Sequence, residues 1–308
     1  MRKILVTGGA GNIGGSLARR LVKDQNDYVV VADNLLTGDI SKLPSNEFPN
    51  FKFEKCDVND FNALSAVMAA TSFDYVFHYA AVVGVQRTLD NPILVLNDIE
   101  GIKHVLQLSK KTGVKRIFYS SSSEVYGEPV EVPQNERTTP LNSRLPYAIV
   151  KNLGEAYFRS FHQEYGLEYT IFRFFNTYGP LQSKDFVISK FIDAAMKDDD
   201  ITIYGDGSQT RTFCYIEDNL DLTVKALYDG HFINDVVNVG SDDEMTILAL
   251  AQLVKRVLKS KSKIIHLPPL KEGDMARRRP DISKMTGVLA RKLTSLETGI
   301  YEVVKSMA

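Results

Sequence analysis

Cysteine is scarce in this chain of 308 residues, with Cys56 and Cys214 the only two. Two thiols supply neither a disulfide framework nor the clustered spacing of a metal site. Both fall in strand-like runs, where buried, inert thiols are expected. Long apolar runs are missing as well. No stretch approaches the roughly 20 apolar residues of a membrane span. The chain enters a strand directly from Met1, without the pattern of a signal peptide, so a soluble cytoplasmic protein is the expectation. Neither sign of charge dominates. The 37 Lys and Arg nearly balance 38 Asp and Glu, for a formal net charge of −1. No global field points to nucleic acid or an anionic membrane as a partner. Internal repeats, low-complexity tracts and a Pro/Gly/Ser-rich linker are also lacking. What remains is a chain with 44% hydrophobic residues, enough for one large core or two unequal domains.

The most informative stretch is Thr7-Gly8-Gly9-Ala10-Gly11-Asn12-Ile13-Gly14. It follows the apolar run Ile4-Leu5-Val6 and precedes a helix-like stretch from Asn12 to Lys23. Gly9, Gly11 and Gly14 satisfy G-x-G-x-x-G in a strand, turn, helix context, the setting that makes this motif a dinucleotide signature. Glycine lets the backbone turn and approach a pyrophosphate, and the helix N-terminus offers that anion free N–H groups. Asp33 closes a second strand nineteen residues after Gly14, where a carboxylate meets ribose hydroxyls. No Arg or Lys lies between Asp33 and Ile40 to receive a 2′-phosphate. The expected cofactor is therefore NAD, not NADP.

Strand-like runs then recur at βαβ intervals: Phe51 to Lys55, Asp74 to His78, Arg116 to Ser120 and Tyr169 to Arg173. Helical patterns separate them, roughly Phe61 to Ala70, Pro92 to Thr112 and Tyr147 to Tyr165. The expected fold is α/β, a Rossmann-type doubly wound parallel sheet that binds ligands at the carboxyl ends of its strands. Past Asn176 the rhythm changes. Phe186 to Met196 reads as a helix, Ile201 to Tyr204 as a short strand, and Thr246 to Leu258 as an amphipathic helix. The expected division is an NAD-binding domain over residues 1–175, joined by about 213–240. Residues 176–308 would mainly form a smaller C-terminal α/β substrate lobe.

Tyr147 and Lys151 stand four apart at the start of a helical stretch, so both face one side. Free tyrosine titrates near 10, too high for a base at neutral pH. A neighbouring ammonium, together with a positive nicotinamide ring, favours the phenolate. Tyr147 then takes a hydroxyl proton while hydride leaves the same carbon. Ser120 to Ser123, followed by Glu124-Val125-Tyr126-Gly127, end the fifth strand with hydroxyls that can hold a substrate oxygen.

These residues carry a resemblance. Thr7 to Gly14, Asp33-Asn34-Leu35, Asp57-Val58, His78-Tyr79-Ala80-Ala81, Ser122 to Gly127, Tyr147 with Lys151, and Asn176-Thr177-Tyr178-Gly179-Pro180 stand in order. Together they resemble an extended short-chain dehydrogenase/reductase of the nucleotide-sugar epimerase, dehydratase and decarboxylase group, over nearly the whole chain. The resemblance implies tightly held NAD, a nucleotide-diphosphate sugar and transient oxidation at sugar C4. By position, Gly8, Gly11, Asn12, Ile13, Gly14, Asp33, Asn34, Asp57, Val58, Ala80 and Ala81 would bind the cofactor with Tyr147 and Lys151. Ser122 would be the hydroxyl donor beside Tyr147, with Ser123 and Glu124 completing the catalytic set. Asn176 would bind substrate near its diphosphate. Two positions depart from the pattern. Asp98 stands where the group often has Asn, and Val150 where it often has Ser. The group also implies a homodimer through the helices Pro92–Thr112 and Tyr147–Tyr165.

A ketone at C4 opens elimination across C5–C6, loss of carbon dioxide from a C6 carboxylate, or epimerisation at C4. The Ser123-Glu124 pair resembles UDP-glucuronate decarboxylases and GDP-mannose 4,6-dehydratases, and a carboxylate here could move the C5 proton. Arg277-Arg278-Arg279-Pro280 resembles the basic stretch of the decarboxylases, with Arg278 serving the active site; a guanidinium binds a carboxylate or diphosphate bidentately. Gly205 to Phe213 resembles a diphosphate loop, in which Arg211 would contact phosphate and Tyr204 would pack near the base. Arg87 is a weaker candidate to touch the sugar. A UDP-glucuronate decarboxylase-like reaction is the leading reading. UDP-sugar 4-epimerisation and 4,6-dehydration are the alternatives, and an inactive NAD-binding scaffold is the alternative outside enzymes.

Overall fold

The computed structural model describes residues 1–269 and 277–307. The first half alternates strand and helix: β1 (Arg2–Thr7), α1 (Asn12–Leu21), β2 (Asp27–Asp33), β3 (Phe51–Lys55), α2 (Phe61–Ala70), β4 (Tyr75–His78), α3 (Val85–Asp90), α4 (Pro92–Leu96), α5 (Asp98–Thr112), β5 (Arg116–Ser122), α6 (Pro146–Tyr165) and β6 (Glu168–Phe174). Local chemistry sets several of these boundaries. Asp60 caps α2 by accepting from the amides of Asn62 and Ala63. Pro146 opens α6 at a position where its missing N–H is no loss, and left-handed Gly166 closes it.

The second half holds β7 (Thr177–Tyr178), α7 (Val187–Met196), β8 (Ile201–Tyr204), β9 (Thr210–Thr212), β10 (Cys214–Tyr215), α8 (Ile216–Tyr228), β11 (Asp235–Val239), β12 (Glu244–Thr246), α9 (Ile247–Leu258), β13 (Ile264–Leu267), α10 (Ser283–Leu289) and α11 (Leu296–Lys305). Thr246 caps α9 through the amide of Ala249. The pairs β8–β13 and β9–β12 lie outside the main sheet.

Seven strands form one parallel sheet in the order β11-β6-β5-β4-β1-β2-β3. The apolar strands are buried on both faces, and their alternation sorts them into two cores. Ile4, Val6, Val29 and Val31 face Leu17 of α1 and Leu220 of α8. Leu5, Val30 and Val76 face Leu64 of α2, Val105 of α5 and Phe158 of α6. Each fully buried aliphatic side chain contributes about 1.5–3 kcal/mol. The strand order reverses between β1 and β4, which opens a crevice at their carboxyl ends, the place where open parallel sheets bind ligands.

Several boundaries differ from the sequence reading. The helix expected over Pro92 to Thr112 is divided into α4 and α5 at Asn97, where Glu100 bonds back only three residues. The helix expected from Asn12 to Lys23 ends at Leu21, with a turn after it. Cys56 lies one residue beyond β3, while Cys214 opens β10; both are buried and free. No helix among the described residues is long and apolar enough to cross a membrane.

Candidate active site

The glycine turn sits at the mouth of the crevice. Gly8 has a left-handed backbone, with φ of 70°, and a Cβ there would stand 2.5 Å from the Ala80 amide nitrogen. A Cβ on Gly14 would run into the Gly8 carbonyl. The Gly11 amide donates to that same carbonyl at 3.2 Å. These positions keep a backbone-lined cradle clear at the N-terminus of α1. Gly9, counted in the motif, is instead pressed against Val31 of β2, a packing contact. Asn12 opens α1, and its buried Oδ1 has no hydrogen-bond partner among the described residues. Ile13 packs against the core under α1.

Asp33 ends β2 beside this turn. Its Oδ2 accepts from the Ala10 amide at 2.9 Å and its Oδ1 from the Leu35 amide at 2.8 Å. Each oxygen keeps a lone pair for a hydroxyl. Asn34 donates to Asp57 at 3.0 Å, joining the ends of β2 and β3, and Val58 is buried next to them. Ala80 and Ala81 follow β4, and the Ala80 amide reaches the Thr7 hydroxyl at 3.4 Å. The cradle, the orphaned Asn12 oxygen and the Asp33 carboxylate fit a dinucleotide.

Beyond this end, α6 brings Tyr147 and Lys151 to the end of β5. Lys151 is buried. Its Nζ donates to Ser120 Oγ at 3.4 Å and lies 5.1 Å from the Tyr119 ring and 5.7 Å from the Tyr147 ring. Burial lowers its pKa to about 8, against an opposing pull from Asp98. Tyr147 differs from expectation. Its pKa is raised, first by burial and then by the charge of Glu124, while Ser122 opposes the shift and Asp98 adds to it. The nearby ammonium therefore does not by itself bring the phenol into the neutral range. Ser122 accepts from the Glu124 amide at 3.2 Å, and buried Ser123 opens the single 3-10 turn that carries Glu124.

The substrate-side candidates fall into two groups. Arg278 is 5% exposed and its Nη1 lies 2.5 Å from Glu124 Oε1, so two residues 154 apart in the chain meet beside Tyr147. The other Glu124 oxygen is buried without a partner among the described residues. The segment bearing Arg278 is held by Gln134, whose amide donates to the Arg279 carbonyl and whose carbonyl accepts from the Asp281 amide, each at 2.8 Å. Asn176, with φ of 39°, donates to the Thr212 carbonyl at 2.9 Å, and Arg211 of β9 is buried next to it in sequence. Tyr204 ends β8 partly exposed, with the Lys190 ammonium 5.6 Å from its ring. Arg87 is turned to the Val83 carbonyl at 2.8 Å and to Asp185 at 3.2 Å.

The departures have structural accounts. Val150 is buried among the apolar residues beneath α6, a place with no need of a hydroxyl. Asp98 starts α5 and accepts from the Val82 amide at 2.7 Å. Sequence reasoning named His78 only within a motif and gave it no role, and it named Ser120 only within the serine run, not as the partner of Lys151. His78 is fully buried with Nδ1 2.9 Å from the Thr7 hydroxyl, and burial drops its pKa to about 3. Its signal was its place at the end of an apolar strand.

Comparison with known proteins gives the family. The model of the NAD dependent epimerase/dehydratase family matches residues 4–240. The chain belongs to that family. It is an NAD-dependent enzyme of the extended short-chain dehydrogenase/reductase type. This family member is 34% identical over 319 residues to the UDP-N-acetyl-alpha-D-glucosaminuronate decarboxylase of Bacillus cytotoxicus, covering 99% of this chain and 97% of the relative. It is 33% identical to a putative UDP-glucose 4-epimerase of Methanocaldococcus jannaschii, covering 99% and 98%. The crystal structure of the UDP-glucose 4-epimerase of Thermotoga maritima with UDP-glucose superposes with a TM-score of 0.92, at 31% identity and coverage of 99% and 98%.

Proposed function

We propose that this enzyme decarboxylates a UDP-hexuronic acid by transient oxidation at C4. The observation that carries the reading is the partly buried Glu124–Arg278 pair, 2.5 Å across, beside Tyr147. A guanidinium there suits a C6 carboxylate. The similarity to a decarboxylase over nearly the full length of both chains supports the same reading.

Gly8, Gly11, Asn12, Ile13 and Gly14 would hold the cofactor's pyrophosphate and Asp33 its ribose; Asn34, Asp57 and Val58 would surround the adenine, and Ala80 and Ala81 the channel beyond. NAD, when bound, accepts the C4 hydride and later returns it, and its positive ring favours the Tyr147 phenolate. Tyr147 takes the C4 hydroxyl proton, with Ser122 holding that oxygen and Lys151 holding the phenolate. Arg278 orients the carboxylate. The C5–C6 bond of the β-keto acid breaks, carbon dioxide leaves, and the electron pair becomes the C4–C5 enolate. Glu124, with Ser123 beside it, takes a proton from solvent and delivers it to C5. Tyr147 then returns its proton to the C4 oxygen. Asn176 and Arg211 would bind the diphosphate, and Tyr204 the base.

The test is direct. Purified enzyme is given UDP-glucuronate or UDP-N-acetylglucosaminuronate, and carbon dioxide and the nucleotide product are measured. Carbon dioxide with a UDP-pentose supports the reading, and Glu124→Gln should slow it about 10²–10⁴-fold. C4 epimers without carbon dioxide overturn it in favour of 4-epimerisation. That second reading is favoured by one feature: Arg278 already holds one oxygen of Glu124. We also propose that a second copy of the chain covers α4 and α6, whose Ile93, Ile149 and Leu153 are exposed.

A further inference from the structure

Glu244 opens β12 and has no part in the reaction above, yet its side chain joins two segments that do. β12 pairs antiparallel with β9, with Met245 opposite Arg211 and Glu244 opposite Thr212. The Glu244 carboxylate receives Arg277 as a fork: Nε donates to Oε1 at 2.7 Å and Nη2 to Oε2 at 2.8 Å. Oε1 also accepts from the Thr210 hydroxyl. The Thr210 carbonyl in turn accepts from Arg211 Nη1 at 2.7 Å. A parallel backbone bridge joins Thr210 to Arg277 as well. One carboxylate thus ties β9, which carries Arg211, to the segment that carries Arg278.

We propose that Glu244 is a positioning residue for the substrate diphosphate: by holding Thr210 against Arg277 it sets the Arg211 guanidinium relative to the Arg278 segment. β9 is three residues long and lies outside the main sheet, in a two-stranded pair with β12. Its place is therefore fixed by local anchors. At one end Asn176 holds the Thr212 carbonyl at 2.9 Å. At the other end Glu244 holds Thr210, and buried Arg211 lies between the two. The Arg278 segment has a second support in Gln134. The Glu244 contact therefore bears more on Arg211 than on Arg278. Arg277, and after it Thr210, hold the Glu244 carboxyl below the ordinary carboxylate range against the effect of burial, so it is charged at neutral pH. The Arg277 side chain is 49% exposed and that of Glu244 19%. An ion pair this open to water adds little to stability, so its loss is read in binding and not in folding.

The inference rests on the reading of Arg211 as a diphosphate ligand and not on which sugar is turned over. Its test is calorimetric titration of the NAD-loaded enzyme with UDP, and with uridine as the probe that lacks phosphate. Glu244→Ala should weaken UDP about tenfold, the weight of one hydrogen bond to a charged group. Uridine should bind parent and variant alike, and the melting temperature should stay near the parent's. Thr210→Val keeps the shape of the side chain, removes the hydroxyl and should weaken UDP in the same direction. The double variant should lose no more than the larger single loss, because both changes break one contact. Arg211→Ala separates this proposal from the reading beneath it. UDP affinity equal in parent and Arg211→Ala removes the diphosphate reading and this proposal with it. A loss in Arg211→Ala, with UDP binding unchanged or tighter in Glu244→Ala, overturns this proposal alone. It is also overturned by Glu244→Ala and Thr210→Val losses that add in full, or by a loss that uridine shares equally.

Discussion

His78 and Lys151 are both buried at the strand ends, and both titrate below their ordinary values, to about 3 and about 8. For His78 the unfolded chain binds more protons than the folded one between about pH 3 and 6.5. Stability therefore rises with pH in that window and is lost as pH falls through it. The thermal midpoint of His78→Gln should decline less than the parent's between about pH 6.5 and pH 4; equal declines would remove His78 as a cause. Lys151 gives stability and rate opposite signs. Between about pH 8 and the ordinary lysine value the folded protein holds fewer protons, so this group's contribution to stability rises with pH. The same loss of charge removes support from the Tyr147 phenolate. Turnover should fall above about pH 8 while the melting temperature shows no matching fall. The spacing of Tyr147 and Lys151 was legible because four residues are about one helical turn. The protonation states were not legible, because they depend on burial and on charges from α5, α6 and the Glu124 turn.

A buried network holds the elements around these residues. Glu155 of α6 receives two bonds from Arg173 of β6, at 2.8 and 2.7 Å, and one from Ser121 of β5 at 2.6 Å. Arg173 continues to the Tyr126 hydroxyl at 2.8 Å, and Tyr126 to Asn238 of β11 at 2.7 Å. Asn238 donates to the Gln134 carbonyl, on the segment that supports the chain around Arg278. The frame thus spans the elements that carry Ser122, Lys151, Glu124 and Arg278. Glu155→Ala leaves the Arg173 charge buried and unpaired, and should cost about 3–5 kcal/mol, read by denaturant unfolding. A loss below about 1 kcal/mol would show that water replaces the carboxylate. The elements themselves were largely legible, since apolar alternation and helical periodicity recur along the chain. The division at Asn97 was not. It is a local tightening of hydrogen bonds, and it sets Asp98 at the start of α5, turned to Val82.

The sheet order gathers the cofactor-side candidates and the serines at one end of the sheet. The reversal between β1 and β4 puts the glycine turn, Asp33 and Ala80 around one crevice, and β5 delivers the serines beside it. The opposite side of α6, with α4, exposes Ile93 at 70%, Ile149 at 44% and Leu153 at 45%. It is this apolar patch that a second copy of the chain is proposed to cover. Sedimentation of the purified protein should show a dimer, and Ile149→Asp with Leu153→Asp should give monomers. A parent protein that sediments as a monomer at high concentration would remove the α4–α6 face as an interface.

By itself the amino-acid order determined the glycine cradle, the carboxylate after β2, the Tyr147–Lys151 spacing and the α/β alternation. Each of these is a short-range pattern, written within a turn, a strand or one βα unit. Tertiary structure alone decided that Arg278 meets Glu124, that Asp98 accepts from the Val82 amide and that Arg173 is bound by Glu155. Those pairs join groups from separate elements, and no local period records a contact that forms only when the sheet closes and water leaves.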